Sequence, residues 1–132
     1  MLKEIFIINK AGIGLFYQNF EENGQKEKDM VSAFLKVIQD FSEEYMNQKL
    51  QEIHLGTNKV VLFSGDPVSF VIKVSSARSS NQLEARIKLL KDRFLQNYTP
   101  QIERNDTEIS LFDPFEEEVR KVFKQFLSYF SP

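Results

Sequence analysis

Two apolar runs meet at a pair of glycines at the start of this chain: Leu2-Lys-Glu-Ile-Phe-Ile-Ile-Asn9, then Lys10-Ala-Gly-Ile-Gly14, then Leu15-Phe-Tyr-Gln-Asn-Phe20. Glycine tolerates the backbone angles of a tight reversal, so the segment reads as a β-hairpin. Ile5, Phe6, Ile7 and Ile8 are consecutive. Such a run cannot alternate between core and water, and it suits a strand covered on both faces. Helices must therefore flank the sheet to which this hairpin belongs.

The rest of the chain supplies them. After the polar stretch from Glu21 to Lys28, Asp29 is placed as an N-cap, and Val31, Phe34, Leu35, Ile38, Phe41 and Tyr45 recur at three- and four-residue spacing. This predicts one amphipathic helix over residues 29–48. Three strand-like runs follow, Glu52 to Leu55, Lys59 to Phe63 and Pro67 to Val74, with turn signals at Gly56-Thr-Asn58 and Ser64-Gly-Asp66. They predict an antiparallel meander. From Ser80 the period is helical again, with Leu83, Ile87, Leu90, Phe94 and Tyr98 on one stripe, Asn81 and Glu84 spaced as a capping box, and Pro100 as the expected stop. Asp113-Pro-Phe-Glu116 has the form of a helix start, with an N-cap, a first-turn proline and an acidic third position. The helix it opens carries Phe115, Val119, Val122, Phe123, Phe126 and Phe130 on one side. The predicted order is β-β-α-β-β-β-α-α, an α/β (α+β) domain over residues 1–132 with a five-stranded, mainly antiparallel sheet.

Composition removes several function classes. The chain has 132 residues, no cysteine and one histidine, so disulfides, thiolate metal sites and multi-histidine clusters are excluded. Lys and Arg number 17 against 19 acidic residues, and a net charge of −2 offers no broad basic surface for nucleic acid or an anionic membrane. No apolar run reaches the roughly 20 residues of a membrane-spanning helix, and the N-terminus lacks the pattern of a signal peptide. A cytoplasmic protein without a transmembrane segment is expected, and the sequons at Asn97 and Asn105 are then chance matches.

The hairpin with its Asn9-Lys-Ala-Gly12 turn, the first helix containing Asp29 to Ile38 and the meander from Glu52 to Val74 together resemble the longin domain, over essentially the whole chain. The resemblance implies a five-stranded sheet with the first helix on one face and the C-terminal helices on the other. Longin-like domains occur in vesicle SNAREs, clathrin adaptors, TRAPP tethers, the SRP receptor and exchange-factor complexes for small GTPases, with stand-alone forms in Asgard archaea. What it implies for function is regulated protein contact, with a Ras-like GTPase or with another longin or roadblock protein. No SNARE heptads follow, so a stand-alone scaffold subunit is the expectation. The roadblock fold and profilin are structural relatives that usually begin with a helix; here a strand comes first, and that order argues against them.

Candidate chemistry is sparse. His54, between Ile53 and Leu55, has no nucleophile at recognisable spacing and reads as a structural or surface histidine. Gly12-Ile-Gly14 lacks the third glycine and the following helix of a phosphate loop, and reads as turn chemistry. Arg78, Arg86, Lys88, Lys91 and Arg93 read as a solvated helix face, against the alternative of an acidic partner or lipid headgroups. No catalytic, cofactor-binding or metal residue is assigned. The candidate interface is the second strand, Leu15, Phe16, Tyr17, Gln18, Asn19 and Phe20, with the outer side of the first helix. In the longin topology that strand lies at a sheet edge, where another sheet can continue it. Strict alternation would put Leu15, Tyr17 and Asn19 on one face and Phe16, Gln18 and Phe20 on the other.

A non-enzymatic interaction module is therefore expected, forming homo- or heterodimers, scaffolding a small Ras-like GTPase in a trafficking-type system, and touching a membrane at most peripherally. The rival is a small-molecule sensor of PAS or profilin-like kind, with aromatic residues lining a cavity between sheet and helix.

Overall fold

The computed structural model describes residues 2–20, 28–45, 51–75, 80–108 and 110–124. The strands are β1 (Leu2–Asn9), β2 (Gly14–Asn19), β3 (Glu52–Leu55), β4 (Asn58–Phe63) and β5 (Val68–Ser75). The helices are α1 (Lys28–Tyr45), α2 (Ser80–Glu103) and α3 (Glu116–Val122), the last preceded by a 3-10 turn at Asp113–Phe115. The strands form one antiparallel sheet in the order β2-β1-β5-β4-β3. The hairpin, the meander and the helix order match the sequence reading, and the meander joins the hairpin through β5 against β1.

β1 lies second from the edge and is buried on both sides, as its unbroken apolar run requires. Ile5 and Ile7 enter a core with α2 and α3, while Phe6 and Ile8 enter a second, smaller core with Leu35 of α1. Leu2 would fall with Phe6 by strict alternation. A register shift between Leu2 and Glu4 moves it to the larger core instead.

The larger core is built on rings. Phe94 of α2 is fully buried, and its ring centroid lies 5.0 Å from those of Tyr98 and Phe115, 5.6 Å from Phe112 and 6.3 Å from Phe70. Phe16 of β2 closes the group edge-on to Phe115 at 5.6 Å. Edge-to-face and offset contacts of this kind add about 0.5–1.5 kcal/mol each to the burial itself. These rings fill the space between sheet and helix that a PAS-like sensor would give to its ligand.

Two helix boundaries differ from expectation, and a third lies outside the described residues. α2 does not stop at Pro100 but runs to Glu103. Proline costs most in a helix interior; here it is exposed and in the last turn, and the helix ends within three residues of it. The Thr99 hydroxyl donates to the Leu95 carbonyl just before it. α3 begins with a 3-10 turn in which Asp113 makes no side-chain cap, and Phe112 takes the N-cap place. The described part of α1 ends at Tyr45, and its expected end at residue 48 lies outside the described residues, as do Phe126 and Phe130 of the last helix.

Candidate functional site

β2 lies at one end of the sheet, as expected, with β1 as its neighbour. The tip of the hairpin is held by Asn9, whose Oδ1 accepts the backbone N–H groups of Ala11 at 2.9 Å and Ile13 at 3.0 Å. Gly12 sits at φ 83°, the left-handed region that glycine tolerates, and its N–H donates to the Asn9 carbonyl at 3.0 Å. The glycines thus serve the turn.

Alternation along β2 fails at one place. Ile7 pairs with Phe16 but Ile8 pairs with Gly14, so Leu15 is the extra residue of a bulge. Leu15 and Phe16 consequently both enter the α2/α3 core. Beyond the bulge the strand alternates. Tyr17 packs on the α1 side against Phe6 at 4.6 Å, and its hydroxyl donates to Glu4 Oε1 at 2.9 Å. Phe20 packs on the other side. Gln18 is buried, and neither its Oε1 nor its Nε2 has a hydrogen-bond partner among the described residues. A buried amide in that state carries a desolvation cost of about 1–3 kcal/mol. Of the six residues named for an interface, Leu15, Phe16 and Gln18 are buried and Tyr17, Asn19 and Phe20 are half-buried.

The outer side of α1 behaves differently. Leu35 and Gln39 face the sheet, the latter donating from Nε2 to Ser64 Oγ at 3.0 Å. Two residues further along a helix lies about 200° around it. Accordingly Val37 is 65 % exposed, and the same row continues through Phe41, 55 % exposed, to Tyr45, 78 % exposed. The Phe41 and Tyr45 rings stack at 5.0 Å on the surface. Phe41 and Tyr45 fit the core periodicity of α1 yet lie outside the core. The apolar arc of this helix is wider than the sheet beneath it can cover.

The basic residues of α2 are not simply a solvated face. Arg86 donates to the Val122 carbonyl at 2.6 Å and Arg93 to Glu118 at 2.6 Å, so both tie α2 to α3. Lys88 is exposed and pairs with Glu84 at 3.8 Å, while Arg78 lies outside the described residues. His54 is exposed on β3 with Nε2 3.1 Å from Glu52, a surface position. Beside it Lys59 is buried and ion-paired with Glu52 at 3.7 Å. The Tyr98 pKa is raised: burial raises it, and the Asp113 and Glu118 carboxylates raise it further. No group of three or more acidic or histidine side chains suited to a metal occurs among the described residues. No described helix is long and apolar enough to cross a membrane.

No protein-family model matches the chain, and no curated protein sequence matches it. Solved structures do. The gliding protein MglB from Thermus thermophilus aligns with 64 % of this chain and 68 % of its own, at 9 % identity and a TM-score of 0.50. A structure of MglB with a tetrameric arrangement aligns over the same shares at the same identity and score. A Roadblock/LC7 domain from Streptomyces avermitilis aligns with 77 % of this chain and 86 % of its own, at 6 % identity and a TM-score of 0.52. The likeness is one of fold: a five-stranded antiparallel sheet with helices in α+β arrangement, similar to the MglB and Roadblock/LC7 structures. A strand at the N-terminus, read above as an argument against the roadblock relatives, does not separate this chain from them.

Proposed function

We propose that this longin/roadblock-type fold acts as a non-enzymatic protein-interaction module in the cytoplasm, at most peripheral to a membrane. It associates with a second copy or with another longin or roadblock protein through α1 and edge strand β2, and it positions a small Ras-like GTPase. The observation that carries the reading is the apolar row Val37, Phe41 and Tyr45 on the outer side of α1. Contiguous exposed apolar surface on a folded domain marks a contact with another molecule. Edge strand β2 contacts α1; along it Tyr17, Asn19 and Phe20 are half-buried, while Leu15, Phe16 and Gln18 are buried and hold the strand in place. A tetrameric arrangement is described for MglB, a protein of the same fold, which supports self-association. The GTPase rests on the longin resemblance alone.

The structure also decides where to test it. Tyr17 is a poor probe, because replacing it with Lys would strip a hydrogen bond from the buried Glu4 carboxylate and confound assembly with stability. Phe41 and Tyr45 are exposed and can be changed without opening the core. Light-scattering mass across a concentration series should show a dimer or higher species for the parent chain, and a monomer for the double variant Phe41→Lys, Tyr45→Lys. A monomer for both would remove self-association and leave the heteromeric form, which pull-downs with Ras-like GTPases and longin proteins would then decide.

A further inference from the structure

The hairpin tip, the β4–β5 turn and the C-terminal end of α2 enclose a cavity of about 590 Å³, within the range of small-molecule sites. It lies at the end of the sheet, apart from the ring cluster and from the outer face of α1. Its walls are apolar: Ala11, Leu15, Pro67, Leu95 and Ile102. Leu15 reaches it because of the bulge in β2, a device that commonly re-aims a side chain toward a site.

The polar groups of the rim have one sign left over. Lys10 also lines the cavity, but its ammonium is held by Asp66 at 2.8 Å, between the hairpin tip and the β4–β5 turn. Asp106 is matched by Arg104 at 3.3 Å. Glu103 has no partner among the described residues, and it stands on the last turn of α2, which contains no basic residue. A helix C-terminus carries partial negative charge, and the carboxylate adds to it on the same side. The neutral polar lining is Asn9, Thr99 and Asn105; the Asn9 Oδ1 accepts the turn amides and the Thr99 hydroxyl donates to the Leu95 carbonyl.

We infer that this cavity binds a small amphipathic amine, its apolar chain against Leu15, Leu95 and Ile102 and its ammonium at Glu103. An anion of the same shape would find its one lining cation, Lys10, already paired with Asp66, and the Glu103 carboxylate close by. The inference shares only Leu15 with the proposed interface, and none of the cavity residues belongs to α1.

The probe is n-hexylammonium, titrated at low salt into the isotopically labelled full chain and followed by NMR, with n-hexanoate and n-hexanol as controls. The amides of Ala11, Leu95 and Ile102 should shift saturably with the amine. Hexanoate should bind about tenfold more weakly, and added salt should narrow that gap, as for any exposed charge. Glu103→Gln, at an exposed position where folding is not at issue, should reduce the preference several-fold. The proposal is overturned by an absence of saturable shifts, by shifts centred elsewhere, by equal binding of hexanoate, or by an unchanged preference in Glu103→Gln.

Discussion

The two faces of the sheet are finished to different standards. On one, α2 and α3 bury Phe70, Phe94, Phe112, Phe115 and Phe123 to nothing or almost nothing, and Arg86 and Arg93 fasten the two helices together. On the other, a single helix places Leu35 over Phe6, Ile8, Leu62 and Val71, while leaving Val37, Phe41 and Tyr45 in water. Both faces draw on the same apolar residue types. What differs is whether a second element arrives to cover the outer side. A face with apolar side chains to spare is poorly designed as a core and well designed as a contact, so on the proposed reading stability belongs to the α2/α3 side and recognition to the α1 side.

The assignment breaks if the α2/α3 side is dispensable. Phe94 touches four other rings, and Phe94→Ala should cost about 3–5 kcal/mol in a denaturant titration, enough to leave a marginal domain largely unfolded. Leu35→Ala on the α1 side should cost about 2–3 kcal/mol, toward the lower end for buried leucine, because the smaller cluster can relax around the gap. Equal losses at the two positions would contradict the contrast.

Gln18 sharpens it from the edge strand. Its amide is buried without a partner among the described residues, so Gln18→Met keeps the volume and removes the desolvated polar atoms. Stability should rise by about 1–2 kcal/mol, read as a higher denaturant midpoint with an unchanged slope. A fall instead would mean that the amide is satisfied when the chain is assembled, and the same variant would then lose mass by light scattering.

A smaller effect tests the filled side by pH. The Tyr98 pKa is raised above its ordinary 10.0, first by burial and then by Asp113 and Glu118. The folded state therefore holds the phenol proton more tightly than the unfolded chain does. That contribution to stability is complete below the unfolded value and is lost as pH rises through the folded one. Melting curves above pH 10 should decline less steeply in Tyr98→Phe than in the parent. Identical declines would show that the phenol is not held in the ring cluster.

How much of this was legible in the sequence follows from which information is local. The hairpin was legible because glycines and an unbroken apolar run state their requirements within a few residues. The end of α2 was not, since proline's penalty depends on how near the helix terminus it falls. The bulge at Leu15 leaves no mark in composition, and alternation alone put Leu15 on the wrong face. Buried polar residues were invisible for a different reason: Gln39 finds Ser64, and Tyr17 finds Glu4, only through the fold. The edge position of β2 came from the longin resemblance, and the exposed row on α1 could not be read from periodicity. A helix with apolar residues at core spacing looks the same whether or not anything covers them.

That last point yields the smallest expected change in stability and the most direct test of the contrast. Phe41 stands 55 % exposed, its ring stacked among the described residues on an even more exposed Tyr45, so Phe41→Ser removes little buried area and should shift the unfolding free energy by no more than about 0.5 kcal/mol. At a concentration where the parent self-associates, the same change should also lower the apparent melting temperature, because dissociation removes the stabilisation that mass action lends to a dimer. The two readings separate on dilution. The parent and variant curves should converge as concentration falls and diverge as it rises. A Phe41→Ser loss that stays constant across concentration would place the ring in the chain's own core, and the α1 side would then be a second structural face rather than a contact.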